Sequence, residues 1–386
     1  MKDIDPIDLA QALVRCASVT PRDEGAQDVL QSALDQIGFQ CRRLPFGDGA
    51  ARVDNLYARW GAHAPAFAYA GHTDVVPPGD ASAWSQPPFG ARIVDGKLFG
   101  RGAADMKGSI AAFVAAAGRV VRRNPKGSII LLITGDEEGP AVNGTVKALK
   151  WMRETGEHID HCLVGEPTSS IVFGDMMKVG RRGSMNCRLF VDGRQGHVAY
   201  PERATNPTPA LARMIIALSD TPLDAGYERF QPSNLEATDL HIGNPAHNVI
   251  PARAEARFNV RFNPNWTAAS LEAELRRRLD AVARAAGVDY ALDCACSGEA
   301  FLTEDREFID LVADVVAEKT GLQPDRSTTG GTSDARFIRY DAPVCEFGLV
   351  GATIHKIDEC AAVADIERLS AIYEAILDRY FSRFAC

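Results

Sequence analysis

Apolar and polar residues follow two different rhythms along this chain, and the change of rhythm divides it. Up to about residue 175, segments with apolar residues three or four apart are interleaved with wholly apolar runs. Helices are expected near 6–16, 25–38 and 106–122, and strands near 52–60, 66–70, 128–134 and 161–165. In the first helix Ile4, Ile7, Ala10, Leu13 and Val14 fall on one side. Helices alternating with strands that are apolar throughout predict an α/β fold, with a mainly parallel mixed sheet flanked by helices. From about 181 the texture changes. "SMNCRLFVDG", "NLEATDLHIG", "EARFNVRFNP" and "VDYALDCACS" look like antiparallel strands, and helical spacing returns near 207–219 and 267–287. That combination predicts a small α+β sandwich. A helix near 304–320, a strand near 343–348 and a last helix near 363–382 then resume the α/β pattern. The chain reads as one split α/β domain, 1–180 and 294–386, carrying an inserted α+β sandwich at 181–293.

With 386 residues there is material for two units, because single hydrophobic cores stop growing near about 250–300 residues. The net charge is −9 and no Lys/Arg block exceeds three residues, which argues against nucleic acid and leaves a small-molecule ligand. "SIAAFVAAAG" at 109–118 is the longest uncharged small-apolar run; it falls short of the roughly 20 residues a membrane span needs. The N-terminus places acids among its apolar residues, unlike a signal peptide, so a cytoplasmic protein is expected. Nine cysteines, an odd number without a C-x-x-C pair, fit neither a disulfide framework nor a zinc ribbon. They read as small buried hydrophobes in a reducing compartment, Cys294-x-Cys296 included.

Chemistry concentrates where the parallel strands end, which is where open α/β sheets bind ligands. "GHTDVVPPGD" supplies His72 and Asp74, "GDEEG" Glu137 and Glu138, "GEPTS" Glu166 and "GATIHK" His355, while "GRGAADMKGS" sets Asp105 near a helix start. His72, Asp105, Glu138, Glu166 and His355 together suit two divalent ions, one carboxylate bridging and each ion also taking one imidazole and one carboxylate. Imidazole with carboxylate favours Zn²⁺, with Co²⁺ and Mn²⁺ less excluded than they would be by thiolates. Singly, each group has an ordinary reading: a loop histidine, a solvated acidic turn, a helix cap at Asp105, a Glu-Pro turn at 166. Their joint placement favours metal. Glu137 adjoins a ligand without being needed as one, the place of a base that deprotonates water, and Asp74 is placed to orient the His72 ring. Asp136 has only a turn or capping role by default.

In this order across nearly the whole chain, "GHTDVVPPGD", "GRGAADMKG", "GDEEG", "GEPT" and a late histidine resemble the co-catalytic zinc peptidase and deacylase family that includes aminoacylases and glutamate carboxypeptidase. "KVGRRGS", "GHVAYP", "NVIP", "STTGGTSDARF" and "GLVGATIHKIDEC" are similar to its branch acting on a succinylated diamino acid. The resemblance implies a dizinc amide hydrolase with two Zn²⁺ per subunit: His72, Asp105 and Glu166 on one ion, Asp105, Glu138 and His355 on the other, and Glu137 as general acid/base. It implies that the inserted sandwich is a dimerisation and lid domain, so that the protein is a homodimer, and that His197 acts in the partner subunit's site. Arg181, Ser184, Tyr200, Asn248, Arg261, Gly331 and Thr332 match the family's substrate-binding segments. Gly351 stands where several members have an asparagine. Two rival readings are a related deacylase such as acetylornithine deacetylase and a non-catalytic binding protein on the same scaffold.

Overall fold

The computed structural model describes residues 3–385; Met1, Lys2 and Cys386 lie outside the described residues. The chain folds as two units, the first formed by Met1–Val179, Thr303–Ser327 and Ser333–Cys386, the second by Gly180–Leu302 with Thr328–Thr332. The boundary expected at 293 falls inside the strand Asp289–Gly298, and five residues from the later sequence join the second unit.

The first unit is built on an eight-stranded sheet ordered 40–43, 56–60, 128–134, 66–72, 161–164, 344–346, 176–178, 325–327. Its four middle strands, 128–134, 66–72, 161–164 and 344–346, run parallel, and antiparallel pairings enter towards both edges. Every residue of Ala66–His72 and Ser128–Thr134 is buried, which is why both read as unbroken apolar runs. The helix Gly108–Val121 is buried at every position but Arg119. Its alanines let it nest closely, and Phe113 stacks on Tyr69 with ring centroids 4.1 Å apart while meeting Tyr373 of the terminal helix Val363–Phe384 edge-on. The N-terminal helix Pro6–Arg15 buries Leu9, Ala10, Leu13 and Val14; Ile4 and Ile7 stay half-buried, so the apolar face is rotated towards Leu9. The helix Thr145–Thr155 was not among the expected elements.

The second unit is a four-stranded antiparallel sheet ordered 234–241, 253–262, 183–192, 289–298. From Met185 onward alternate residues are buried, and Met185, Cys187, Leu189 and Val191 pack with the helices Pro207–Ser219 and Ala268–Ala286 into one core. The first strand, Asn234–His241, is exposed at nearly all positions and forms one edge. Asp289–Gly298 forms the other.

Candidate metal centre

The four parallel strands deliver their acids and histidines to one end of the first unit's sheet. His72 closes its strand, Glu137 and Glu138 follow Thr134, Glu166 follows Val164, and His355 lies in the loop after Val344–Glu346. Asp105 precedes Gly108–Val121, in a segment whose backbone departs from helical angles and whose Asp105–Met106 peptide is cis. Tight approach fixes one of these exits: a Cβ at Gly165 would stand 1.8 Å from the Tyr69 hydroxyl, so only glycine lets Glu166 leave the strand here.

Asp105 is the centre of the cluster. His72 Nε2 lies 3.2 Å from its Oδ1, and His355 Nε2 lies 3.3 Å from its Oδ2 and 2.9 Å from Glu138 Oε1. Glu166 Oε1 lies 3.7 Å from His72 Nε2. One carboxylate thus offers a separate oxygen to each imidazole, the arrangement a bridging ligand between two cations needs. His72 Nδ1 donates to the Asp74 carbonyl at 2.9 Å, so Nε2 is the ring nitrogen turned towards Asp105 and the one that would ligate a cation. The hydrogen bond is to the carbonyl of Asp74, and the Asp74 carboxylate Oδ1 lies 3.7 Å from the same nitrogen. That carboxylate also accepts the backbone N–H groups of Glu137 (3.2 Å) and Glu138 (3.1 Å) and fixes the acidic turn.

The electrostatics describe a cluster short of positive charge. Burial pushes Glu166 well up and Glu137 up to about 8, with neighbouring carboxylates adding to both. Hydrogen bonds to Asp105 and Glu138 hold His355 up at about 10. Burial alone would lower His72, but the bond to Asp105 and the surrounding carboxylates raise it well above its ordinary value. Asp105 is buried, yet its two imidazole partners pull it below the usual carboxylate range. Protons stand where cations would, and the donor set of two imidazoles with hard carboxylate oxygens fits divalent ions. His72, Asp105 and Glu138 place one ligand atom each within 4.8 Å of one another, as do His72, Glu137 and Glu166. Glu137 is set apart by its contact with the buried Arg336, whose Nη1 lies 4.0 Å from Oε1.

Two supporting residues were not singled out from the sequence. Glu359 Oε1 accepts the backbone N–H groups of Gly102, Ala104 and Asp105, each at 3.1 Å, while Oε2 pairs with Arg101 at 2.7 Å. It shapes the segment that presents Asp105, and "KIDEC", immediately past His355, was its only signal. Asp334 is buried and accepts from Thr145 Oγ1 at 2.6 Å. Asp136 takes the turn role: its Oδ2 accepts from Val142 and Asn143 N–H at 2.8 Å, in the loop before Thr145–Thr155.

The remaining expected residues belong to the second unit and form two groups. Arg181 is buried, with Nη1 donating to the carbonyl of Gly331 at 3.2 Å, next to Thr332. Ser184 lies opposite Arg261 in the sheet register. His197 pairs with Val249 in a short two-stranded ladder beside Asn248, whose carbonyl accepts from Val198, and the His197 and Tyr200 ring centroids are 5.9 Å apart.

A sequence model of peptidase family M20/M25/M40 matches residues 68–379. A succinyl-diaminopimelate desuccinylase of Rhodospirillum centenum is 58% identical over 381 residues, covering 98% of this chain and 98% of the relative. One from Beijerinckia indica is 56% identical over 379 residues, covering 97% and 98%. Among solved structures, the M20 family metallo-carboxypeptidase Sso-CP2 of Sulfolobus solfataricus matches with a TM-score of 0.79 at 16% identity, over 99% of this chain and 100% of that one. The YXEP protein of Bacillus subtilis, described as a dinuclear metal binding peptidase, matches with a TM-score of 0.72 at 15% identity, over 97% of each. At such identities the structural likeness bears on the fold.

Proposed function

Because the chain belongs to peptidase family M20/M25/M40, we infer that it is a hydrolase that cleaves the amide of N-succinyl-L,L-2,6-diaminopimelate to succinate and L,L-diaminopimelate, within diaminopimelate and lysine biosynthesis. The observation that carries the substrate is the 58% identity to a desuccinylase over 98% of the chain, against the 16% shared with a carboxypeptidase of the same fold.

The family depends on metal, and we assign the cluster to two Zn²⁺, with Co²⁺ or Mn²⁺ able to substitute. His72, Asp105 and Glu166 would hold one ion, and Asp105, Glu138 and His355 the other; the two imidazoles facing opposite oxygens of Asp105 support this division. When bound, the ions polarise the scissile carbonyl and acidify water at neutral pH. Glu137 takes the proton of the attacking water and passes it to the leaving nitrogen. Its upward shift to about 8 supports a group that exchanges protons near neutrality. The Asp74 carbonyl keeps the His72 ring in its ligand tautomer, and the Asp74 carboxylate keeps Glu137 and Glu138 in register.

The substrate carries three carboxylates, for which Arg181 and Arg261 offer guanidinium forks. Ser184, Tyr200 and Asn248 add polar contacts, and Gly331 and Thr332 add backbone donors. We further propose a cytoplasmic homodimer formed through the inserted unit. His197, carried to the partner subunit's site, donates a hydrogen bond to the oxygen of the attacked carbonyl. The exposed edge strand Asn234–His241, with Leu240 59% exposed, supports a second copy on that side. The test of the chemistry is Glu137→Gln: zinc stoichiometry should be unchanged while turnover falls by about 10²–10⁴-fold or more. Near-normal turnover would remove Glu137 from the reaction.

A further inference from the structure

Two cysteines in the second unit are placed for a reaction with each other. Cys187 and Cys294 sit directly opposite in the antiparallel pairing of Gly183–Asp192 with Asp289–Gly298, and their Sγ atoms are 2.8 Å apart. Opposed residues in such a ladder have Cα atoms about 4.5–5.5 Å apart, inside the range of about 4.4–6.8 Å that a disulfide spans. The register therefore brings the two within the span of a disulfide. The two thiols differ in access: Cys187 is buried in the core, whereas Cys294 is half-buried at the sheet edge. Asp289–Gly298 has Gly183–Asp192 as its single neighbour in this sheet, so a bond between the two would fasten an edge strand to the sheet.

We propose that Cys187 and Cys294 form a reversible redox pair, closed to a disulfide by low-molecular-weight disulfides and reopened by thiols. The Cys294 thiolate attacks one sulfur of the oxidant and expels the other as a thiol, giving a mixed disulfide. Cys187 then gives up its proton and attacks Cys294 Sγ, expelling the second thiol. Two protein thiols lose two hydrogens and two electrons, and one oxidant disulfide becomes two thiols. The order of attack follows from the hydrogen bond between them: the bond from Cys187 holds the Cys294 thiol below its ordinary value, while Cys187 is pushed up by the same bond and by burial. The pair closes a loop between residues 107 apart in sequence, so the oxidised form restricts the unfolded chain and resists heat. In a reducing compartment such a bond is transient and reports the redox state.

The test is incubation of the full-length protein with excess oxidised glutathione, followed by alkylation and peptide mass mapping without reductant. The Cys187 and Cys294 peptides should appear as one linked species, lighter than the reduced pair by two hydrogens and separated again by dithiothreitol. Cys294→Ser should abolish the link and Cys296→Ser should not. The thermal midpoint should rise on oxidation of the parent protein but not of Cys187→Ala. Recovery of both cysteines fully alkylated, or of stable glutathione on Cys294 beside alkylated Cys187, overturns the proposal, and it does so on the parent protein with no variant needed.

Discussion

A carboxylate outside the proposed ligand set shapes the segment that presents Asp105. Glu359 satisfies three backbone N–H groups around Asp105 and an arginine with one buried side chain. Replacing it with leucine leaves those donors without partners, and the segment must rearrange to find others. Glu359→Leu should weaken zinc binding by about 10–100-fold in a competition titration, and Glu359→Gln, which keeps an acceptor oxygen, by less. Unchanged affinity in both would mean that Asp105 is held by other means. At this scale the five groups counted as ligands were legible because histidines and acids at strand exits need no three-dimensional knowledge to be noticed. The supporting atoms were not: that Asp74 serves His72 through its carbonyl and the acidic turn through its carboxylate depends on backbone direction. The turn role of Asp136 was expected, but its partners Val142 and Asn143, which carry no motif, were equally hidden.

Among the elements, most long periodic segments were read correctly, as were the short apolar strands His161–Val164 and Val344–Glu346, whereas the short strands at the later sheet edge were not. Gly108–Val121 and Val363–Phe384 announce themselves by length and spacing. Met176–Lys178 and Asp325–Ser327 are three residues each, too short to show any period, and they pair with each other at the sheet edge. Thr145–Thr155 is different, because Thr145, Ala148, Leu149 and Met152 have the spacing of a buried helical face and the signal was present. The strand His161–Val164 matters to function because it leads through Gly165 into Glu166. Gly165→Ala puts a methyl against the Tyr69 hydroxyl and 2.8 Å from Met106 Cε, in a core without room. We expect a loss of about 1–3 kcal/mol of stability by denaturant unfolding, together with weaker metal binding as Glu166 is displaced. Stability and zinc affinity equal to those of the parent would show that the exit tolerates a side chain.

Over the whole molecule, the cluster ties stability to pH and metal together. In the metal-free protein Glu137 is raised from 4.5 to about 8 and His355 from 6.5 to about 10. Both shifts mean that the folded protein holds protons the unfolded chain would release. The His355 contribution is complete below pH 6.5 and is lost as pH rises through about 10; burying ionised Glu137 costs stability progressively above pH 4.5 up to about 8. The slopes have the same sign, so the thermal midpoint of stripped protein should fall between about pH 4.5 and 10, and saturating zinc should flatten the fall while releasing protons. A midpoint that rises across this range without metal would contradict the charge assignment. The split organisation was legible from the change of rhythm near residue 181. The later boundary was not, because the edge strand Asp289–Gly298 continues past the point where the pattern seems to turn back. The chain's activity is hydrolysis of a succinyl amide. Purified, zinc-loaded protein offered N-succinyl-L,L-diaminopimelate and N-acetylornithine side by side tests it most directly. Succinate should be released with a kcat/KM at least about 10²-fold above that of deacetylation, whereas equal or reversed preference, or no hydrolysis of either with zinc bound, would contradict it.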